Sequence, residues 1–520
     1  MRLSVARPAA RVGERFTDTR PRNAERGTTA AVACLLCLSG AAGLMYQVAW
    51  VRLLGLTFGV TTYAISTVLA AFMGGLALGS FFGGRRADTV RHPLLVYGLV
   101  ELAVGATALL TPWAFGALQG TYAVLSRVVD PSSAPLIAGA VRAALAFAVL
   151  LIPTALMGAT LPLAVRGVRG TRLEADPTSG DSWAMALLYA TNTTGAIVGV
   201  LLSGFVLIGA VGLSETITIA ATANALAAFG ALALHAVHQR RIAHATTQSL
   251  LAAESGPGPV AVRAVVADGS PSRERRFVAM ALWAFTASGA ISLAYEVVWS
   301  RILAVLFDSS IYGFVLMLAT VLGGIALGGA LGGAFTRWRG RATEAATLAF
   351  GVLETGIGLA AVLALLAFGT AYDSLLAARG SGSPFERLVR TDLRLMAVLC
   401  VVTVLPAALL MGATFPVAAR LWAAGSSGLA RRLGGIYAGN VAGAIVGSLA
   451  AGFLMVPLLG AHLSLLLLAA ANVVIGAALL SQVNSRPIRP ALTALAALAV
   501  IGWAATWPSL HEKLFHEHFP

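Results

Sequence analysis

The 520-residue sequence predicts an all-α integral membrane protein: two parallel six-helix repeats followed by one extra C-terminal span. Three observations predict it: a strongly apolar composition, a succession of membrane-length apolar runs, and a direct internal repeat. Hydrophobic residues make up 58% of the chain and charged residues 11%, with a mean hydropathy of +0.83. Soluble domains use roughly 45–50% apolar and about 25% charged residues. The formal charge of +14 would suggest nucleic acid in a soluble protein. Here the arginines sit between apolar runs, where they act as orientation signals, and nucleic acid is discounted.

A helix needs about 20 apolar residues to cross the ~30 Å hydrocarbon core. Runs of that length fall near 29–52, 60–84, 93–116, 134–165, 184–209 and 213–237 in the first half. In the second they fall near 277–302, 309–335, 344–369, 391–420, 432–457 and 461–481, with another near 491–507, giving about thirteen spans. The N-terminal stretch to Arg26 carries seven arginines and reads as a basic cytoplasmic arm (1–28) ahead of a retained first span. With the N-terminus inside, the basic residues collect in the cytoplasmic loops: Arg85, Arg86 and Arg91, then Arg166, Arg169 and Arg172, then the 238–276 linker, Arg337, Arg339 and Arg341, Arg431 and Arg432, and Arg486 and Arg489. The expected location is a bacterial inner membrane, with the lipid bilayer as the main partner. The stretch 370–390 mixes charges and reads as an amphipathic lid, and 482–520 as the additional span with a short outer tail.

The two halves repeat directly. Ser39, Gly40, Tyr46, Trp50, Arg52, Tyr63, Gly75 and Gly79 recur 249 residues later as Ser288, Gly289, Tyr295, Trp299, Arg301, Tyr312, Gly324 and Gly328. Glu101 recurs as Glu354, the run 157–160 with Pro162 as 411–414 with Pro416, and Tyr189, Asn192 and Asn224 as Tyr437, Asn440 and Asn472. An even number of spans per unit gives both copies (29–237 and 277–481) the same orientation. They are then related by an axis along the membrane normal, as in the two halves of major-facilitator transporters.

Ionisable groups within a bilayer are costly, on the order of 2.5–3.5 kcal/mol at a helix centre, and often mark a pathway. Glu101 and Glu354 lie inside apolar runs about two turns from the cytoplasmic end. Glu296 is matched by neutral Gln47, which breaks the symmetry where a single ligand would bind. These residues, with Asn192, Asn440, Tyr46 and Tyr295, form the candidate substrate-binding set. Asn192 and Asn440 either glue helices or face a cavity. Arg52, Arg301, Arg142 and Arg394 are candidates for ion pairing or gating, or for snorkelling to the interface. Tyr46, Trp50, Tyr295 and Trp299 read as an interfacial aromatic belt, with a cation cage as the sharper alternative. The Gly75, Gly79, Gly83 and Gly324, Gly328, Gly332 spacings read as packing seams. Cys34, Cys37 and Cys400 form no disulfide framework, and no catalytic residue, cofactor or metal site is read; the tail pair His516 and His518 lacks further ligands.

Several of these segments resemble a known family: SGAAGLMYQVAWVRLLGLTFG (39–59), SGAISLAYEVVWSRILAVLF (288–307), RHPLLVYGLVEL (91–102), LMGATLP (156–162) and YATNTTGAIVGVLLSGF (189–205). Together they are similar to the membrane portion of the fused major-facilitator/spermidine-synthase-like bacterial proteins, over nearly all of residues 29–481. That resemblance implies a polyamine connection. It also implies, in the full-length fusions, a soluble aminopropyltransferase-like domain, of which this chain shows no strand, Gly-x-Gly loop and helix unit.

The resulting expectation is a transporter-like protein binding or moving a small cationic solute, such as a polyamine, through a cavity between the halves. The alternative is a non-transporting scaffold for a separately encoded spermidine-synthase-like enzyme. An enzyme ranks behind both, because no nucleophile and base are paired in the sequence.

Overall fold

The computed structural model describes residues 22–58, 61–87, 89–125, 135–169, 180–250, 271–307, 311–338, 343–379, 393–423, 429–483 and 488–505. Among these every regular element is helical. The first repeat comprises α1 (Arg22–Phe58), α2 (Thr61–Ala87), α3 (Pro93–Leu109), α4 (Thr111–Leu125), α5 (Pro135–Arg169), α6 (Gly180–Leu202) and α7 (Leu213–Leu250). The second comprises α8 (Pro271–Leu306), α9 (Ile311–Trp338), α10 (Thr343–Arg379), α11 (Leu393–Ala423), α12 (Leu429–Ala450) and α13 (Val456–Val483), and α14 (Ile488–Ala505) follows. Nine helices among the described residues are long and apolar enough to cross a membrane, or ten if the bent α3–α4 pair is one span. One of the nine, Tyr437–Val483, runs through α12 and α13 and is broken at Gly460, so it supplies two spans.

Helix partners repeat between the halves. In the first, α1 packs on α6 and α7, α2 on α5, and α3 on α5 and α7. In the second, α8 packs on α12 and α13, α9 on α11, and α10 on α11 and α13. The α2–α5 crossing follows from the glycine row. A Cβ at Gly75, Gly79 or Gly83 would run into Thr154, Ala155 or Ala159 of α5, and one at Gly158 into Leu76. The α9–α11 crossing repeats this, with Gly324, Gly328 and Gly332 against Ala408, Leu409 and Ala413, and Gly412 against Ile325. The seams predicted from spacing are therefore close helix crossings, as are α1–α6 and α8–α12, where Gly195, Gly199, Gly443 and Gly447 lie against backbone. Ser80 adds a 2.9 Å hydrogen bond from Oγ to the Gly158 carbonyl.

Three features depart from the sequence reading. The span expected at 93–116 is broken at Leu110 into α3 and α4, bent by 41°. Pro112 lacks the N–H that would bond back into α3, and the Thr111 hydroxyl instead takes the Ala108 carbonyl at 2.7 Å. In the second repeat Ala364 and Leu365 stand at these two positions, and α10 runs straight through them. Second, α6 and α12 each end in a π-helical turn, Ser203–Leu207 and Ala451–Met455, at equivalent positions in the repeat. Each is followed by a positive-φ glycine, Gly212 (92°) and Gly460 (74°), which turns the chain into the next span. Third, helices reach into the expected linker: α7 continues to Leu250 and α8 begins at Pro271. The arm up to residue 21, Gly256 to Pro259, most of the expected lid and the histidine-bearing tail lie outside the described residues.

Replacing Gly79 or Gly328 with Val is expected to lower the thermal midpoint of the purified protein by several degrees, because overpacking costs about 1–3 kcal/mol. Gly84, where a Cβ meets open space, serves as the control and should tolerate the same change.

Candidate functional site

The face on which the two halves meet is built from α2 with α12 and α6 with α9. Helix α2 enters at Thr61 from the side opposite Arg85 and Arg86, and its first two turns touch the second half. Ser448 Oγ donates to the Ser66 carbonyl at 3.0 Å, and a Cβ on Gly452 would strike Ser66. By pseudo-symmetry a Cβ on Gly204 would strike Val315 in α9. Two aromatic stacks close the same level across the halves: Tyr63 on Phe453 at 4.7 Å and Phe205 on Tyr312 at 5.3 Å, each within a few degrees of parallel. The phenylalanines come from the two π-helical turns, and all four residues are repeat equivalents.

Further along α2, one helix row follows the parting of the halves. Gly74, midway along the helix, still lies near Ile445 of α12. Leu78 and Phe81, one and two turns nearer the basic end, are 43% and 47% exposed, and the Arg85 guanidinium rests 3.9 Å over the Phe81 ring. Among the described residues the closest approaches between the halves thus lie on the side away from the basic ends. Tyr189 of α6 and Tyr437 of α12 are repeat equivalents, and both are exposed.

Most of the expected site residues do not meet between the halves. Glu101 is fully buried inside the first bundle, facing Ser39, Asn224 and Tyr97. Asn224 Nδ2 donates to Glu101 Oε2 at 2.6 Å, and Tyr46 Oη donates to Asn224 Oδ1 at 2.8 Å. Tyr46 stacks on Trp50 at 5.5 Å, whose indole N–H donates to Thr111 Oγ1 at 2.8 Å. Glu354 is equally buried in the second bundle, with Asn472 Nδ2 donating to its Oε2 at 3.2 Å and Ser288 and Tyr295 facing it. The two glutamates therefore form two separate internal clusters.

The aromatic residues correct the belt reading. Tyr46, Trp50, Tyr295 and Trp299 are each 0% exposed, and Tyr295 stacks on Trp299 as Tyr46 does on Trp50. Spaced i, i+4, each pair covers one face of α1 or α8 and turns into its own bundle, away from the bilayer interface.

Glu296 lies on a different face of α8. Thr286 and Ala290 pack on Gly443 and Gly447 of α12, and Phe285 meets Phe415 of α11. Glu296 lies eleven residues beyond Phe285, three helical turns along the same row. Phe285 also meets Phe350 of α10, so this row of α8 faces the interior of the second bundle. Glu296 is 6% exposed, and its Oε1 has no hydrogen-bond partner. Gln47, its counterpart on α1, is 2% exposed.

Asn192 and Asn440 sit at the α1–α6 and α8–α12 crossings, against Gly40 and Gly289, and Asn440 Nδ2 donates to the Phe285 carbonyl at 2.9 Å. Arg52 and Arg301 are exposed near the ends of α1 and α8, away from the buried glutamates, and Arg394 is exposed at the start of α11. Arg142 is half-buried and lines a cavity of about 110 Å³ with Leu54, Thr57, Phe115 and Gln119. The π-helical turns and the aromatic stacks were missed in the sequence. Their signal was the pair Gly204-Phe205 and Gly452-Phe453 repeating in register with Tyr63 and Tyr312.

No protein-family model matches the sequence, and no curated protein is significantly similar to it. Among solved structures the chain is similar to a bacterial homologue of the human lysosomal transporter Spinster, in an inward-facing and unoccupied conformation. The TM-score is 0.47 at 11% identity, over 93% of this chain and 97% of that one.

Changing Asn224 to Leu removes the partner of both Tyr46 and Glu101, at about 1–3 kcal/mol for each buried group left unsatisfied. Asn472→Leu removes only the longer bond to Glu354. Denaturant unfolding in detergent is expected to show the larger loss for Asn224→Leu; equal losses would contradict the assignment of the two clusters.

Proposed function

We propose that this chain is a secondary transporter that moves a small cationic solute, such as a polyamine, between its two halves. One observation carries the reading: among the described residues the closest contacts between the halves form a pseudo-symmetric set displaced toward one membrane face. Two aromatic stacks, two glycine approaches, a serine hydrogen bond and the Gly74–Ile445 approach can be exchanged for an equivalent set at the other face. Rocking of one repeat against the other about a central site is the usual physical basis of alternating access.

The solute chemistry rests on one buried carboxylate and two exposed rings. Glu296, within the second bundle, has a carboxylate oxygen without a hydrogen-bond partner, and its repeat equivalent Gln47 is neutral. Tyr189 and Tyr437 supply exposed aromatic faces, which attract ammonium groups through the ring quadrupole. A carboxylate with aromatic surface suits a flexible primary amine better than an anion or a sugar. Glu101 and Glu354, sealed in the bundles, do not contact the solute in this reading.

Two experiments test this. With Cys34, Cys37 and Cys400 changed to Ser, oxidative cross-linking of a Tyr63→Cys/Phe453→Cys pair is expected to abolish uptake in proteoliposomes, and reduction to restore it. Undiminished uptake in fully cross-linked protein would contradict the gate. Thermal stabilisation by putrescine or spermidine should be saturable in the unmodified protein and lost in Glu296→Gln. A panel of amines giving no stabilisation at all would remove the cationic solute.

A further inference from the structure

The repeat makes one comparison sharp, because the same three residues are arranged twice with different outcomes. In the first bundle Tyr46, Asn224 and Glu101 are joined directly by bonds of 2.8 and 2.6 Å, and Tyr97 and Ser39 also face the carboxyl, with Glu101 Oε1 and Tyr97 Oη left without a hydrogen-bond partner. In the second bundle the equivalent Tyr295, Asn472 and Glu354 have opened apart. The Asn472 to Glu354 bond is 3.2 Å, and Tyr295 Oη, Asn472 Oδ1 and Glu354 Oε1 have no hydrogen-bond partner. All three residues are at most 1% exposed. Phe350 occupies the position equivalent to Tyr97, so a further phenol is replaced by a hydrocarbon ring.

We propose that Glu354, Asn472 and Tyr295 form a site for one small monovalent cation within the second bundle, and that the first bundle has no such site because the Tyr46–Asn224 hydrogen bond occupies the oxygens equivalent to Tyr295 Oη and Asn472 Oδ1. Three oxygens with lone pairs converge from α8, α10 and α13, and Ser288 of α8 adds a hydroxyl. One carboxylate gives the set a single negative charge, and none of the groups that face it is basic. A buried carboxylate without a counter-charge costs several kcal/mol, whereas a single positive charge neutralises it and engages the orphaned acceptors. A divalent ion would leave an excess of charge. The shared chemistry is a compact cation held by oxygen ligands, with sodium and a proton carried as hydronium as its two sources.

Tyr295 faces this site and Glu296 is its neighbour on α8, so occupancy is sensed directly by the turn that carries the second buried carboxylate. As a coupling ion the cation rests on the transporter reading; as a bound ion it does not.

The test uses the full chain in detergent, with thermal stability and isothermal titration read in NaCl against choline chloride at constant ionic strength. Proton uptake or release is read in parallel from pH 5 to 9. A saturable sodium response that is lost in Glu354→Gln and kept in Glu101→Gln identifies sodium. Proton exchange without a sodium response, again lost only in Glu354→Gln, identifies the proton. Should Glu354→Gln fail to fold, Tyr295→Phe, which keeps the stacked ring, is expected to weaken the response about tenfold. No response to either ion, or an equal loss in both glutamate variants, overturns the proposal. Ion binding without any amine uptake would leave the site standing and remove the transport reading alone.

Discussion

Lipid tails are as apolar as leucine, so no hydrophobic force draws membrane helices together, and cohesion depends on how closely their backbones approach. In this chain that constraint is met at the α2–α5 and α9–α11 crossings, where glycine rows lie against small residues and a single added methyl group would collide with backbone. The rest of the architecture follows from those two seams. They hold the second and fourth spans of each repeat as a rigid pair, so that α2 and α9 carry that pair to the meeting of the halves. There the closest contacts are two aromatic stacks, two glycine approaches, a serine hydrogen bond and the approach of Gly74 to Ile445.

The polar groups obey a second rule. Within a bilayer a carboxylate must find partners in the protein, and both repeats supply an asparagine from the sixth span and a tyrosine from the first for that purpose. In the first repeat the partners reach one another directly. In the second, loss of a phenol at Phe350 and of a hydroxyl at Ala364 leaves polar atoms unmatched, the Trp299 indole N–H among them. Between two otherwise equivalent clusters, such local substitutions leave one with its tyrosine and asparagine bonded to each other and one with both oxygens unbonded.

The helical repeats were legible because hydropathy and a fixed offset are properties of the sequence itself. The glycine seams were legible because spacing by four places small residues on one helix face whatever the fold around them. What escaped was direction. Glu101 and Glu354 were recognised as intramembrane carboxylates, but whether they face the central cavity or their own bundle depends on the rotation of α3 and α10, which weak amphipathicity in a lipid environment leaves undetermined. Tyr46 and Trp50 were misread as interfacial for the same reason: their position along α1 was readable and their azimuth was not. The break at Leu110 had a local signal in Thr111-Pro112, whereas the π-helical turns have none that periodicity detects, since they arise where Gly204 and Gly452 are pressed against the other half.

The central claim is that the two halves exchange between closure at one face and closure at the other. Spin labels at Val211 and Leu459, exposed equivalents at the tight turns on the closed side, report that motion directly. Pulsed electron–electron distance measurements in nanodiscs are expected to show a short population that lengthens, reversibly, when amine or coupling cation is added. A single unchanged distance under every condition would contradict alternating access and leave the molecule a static pair of bundles.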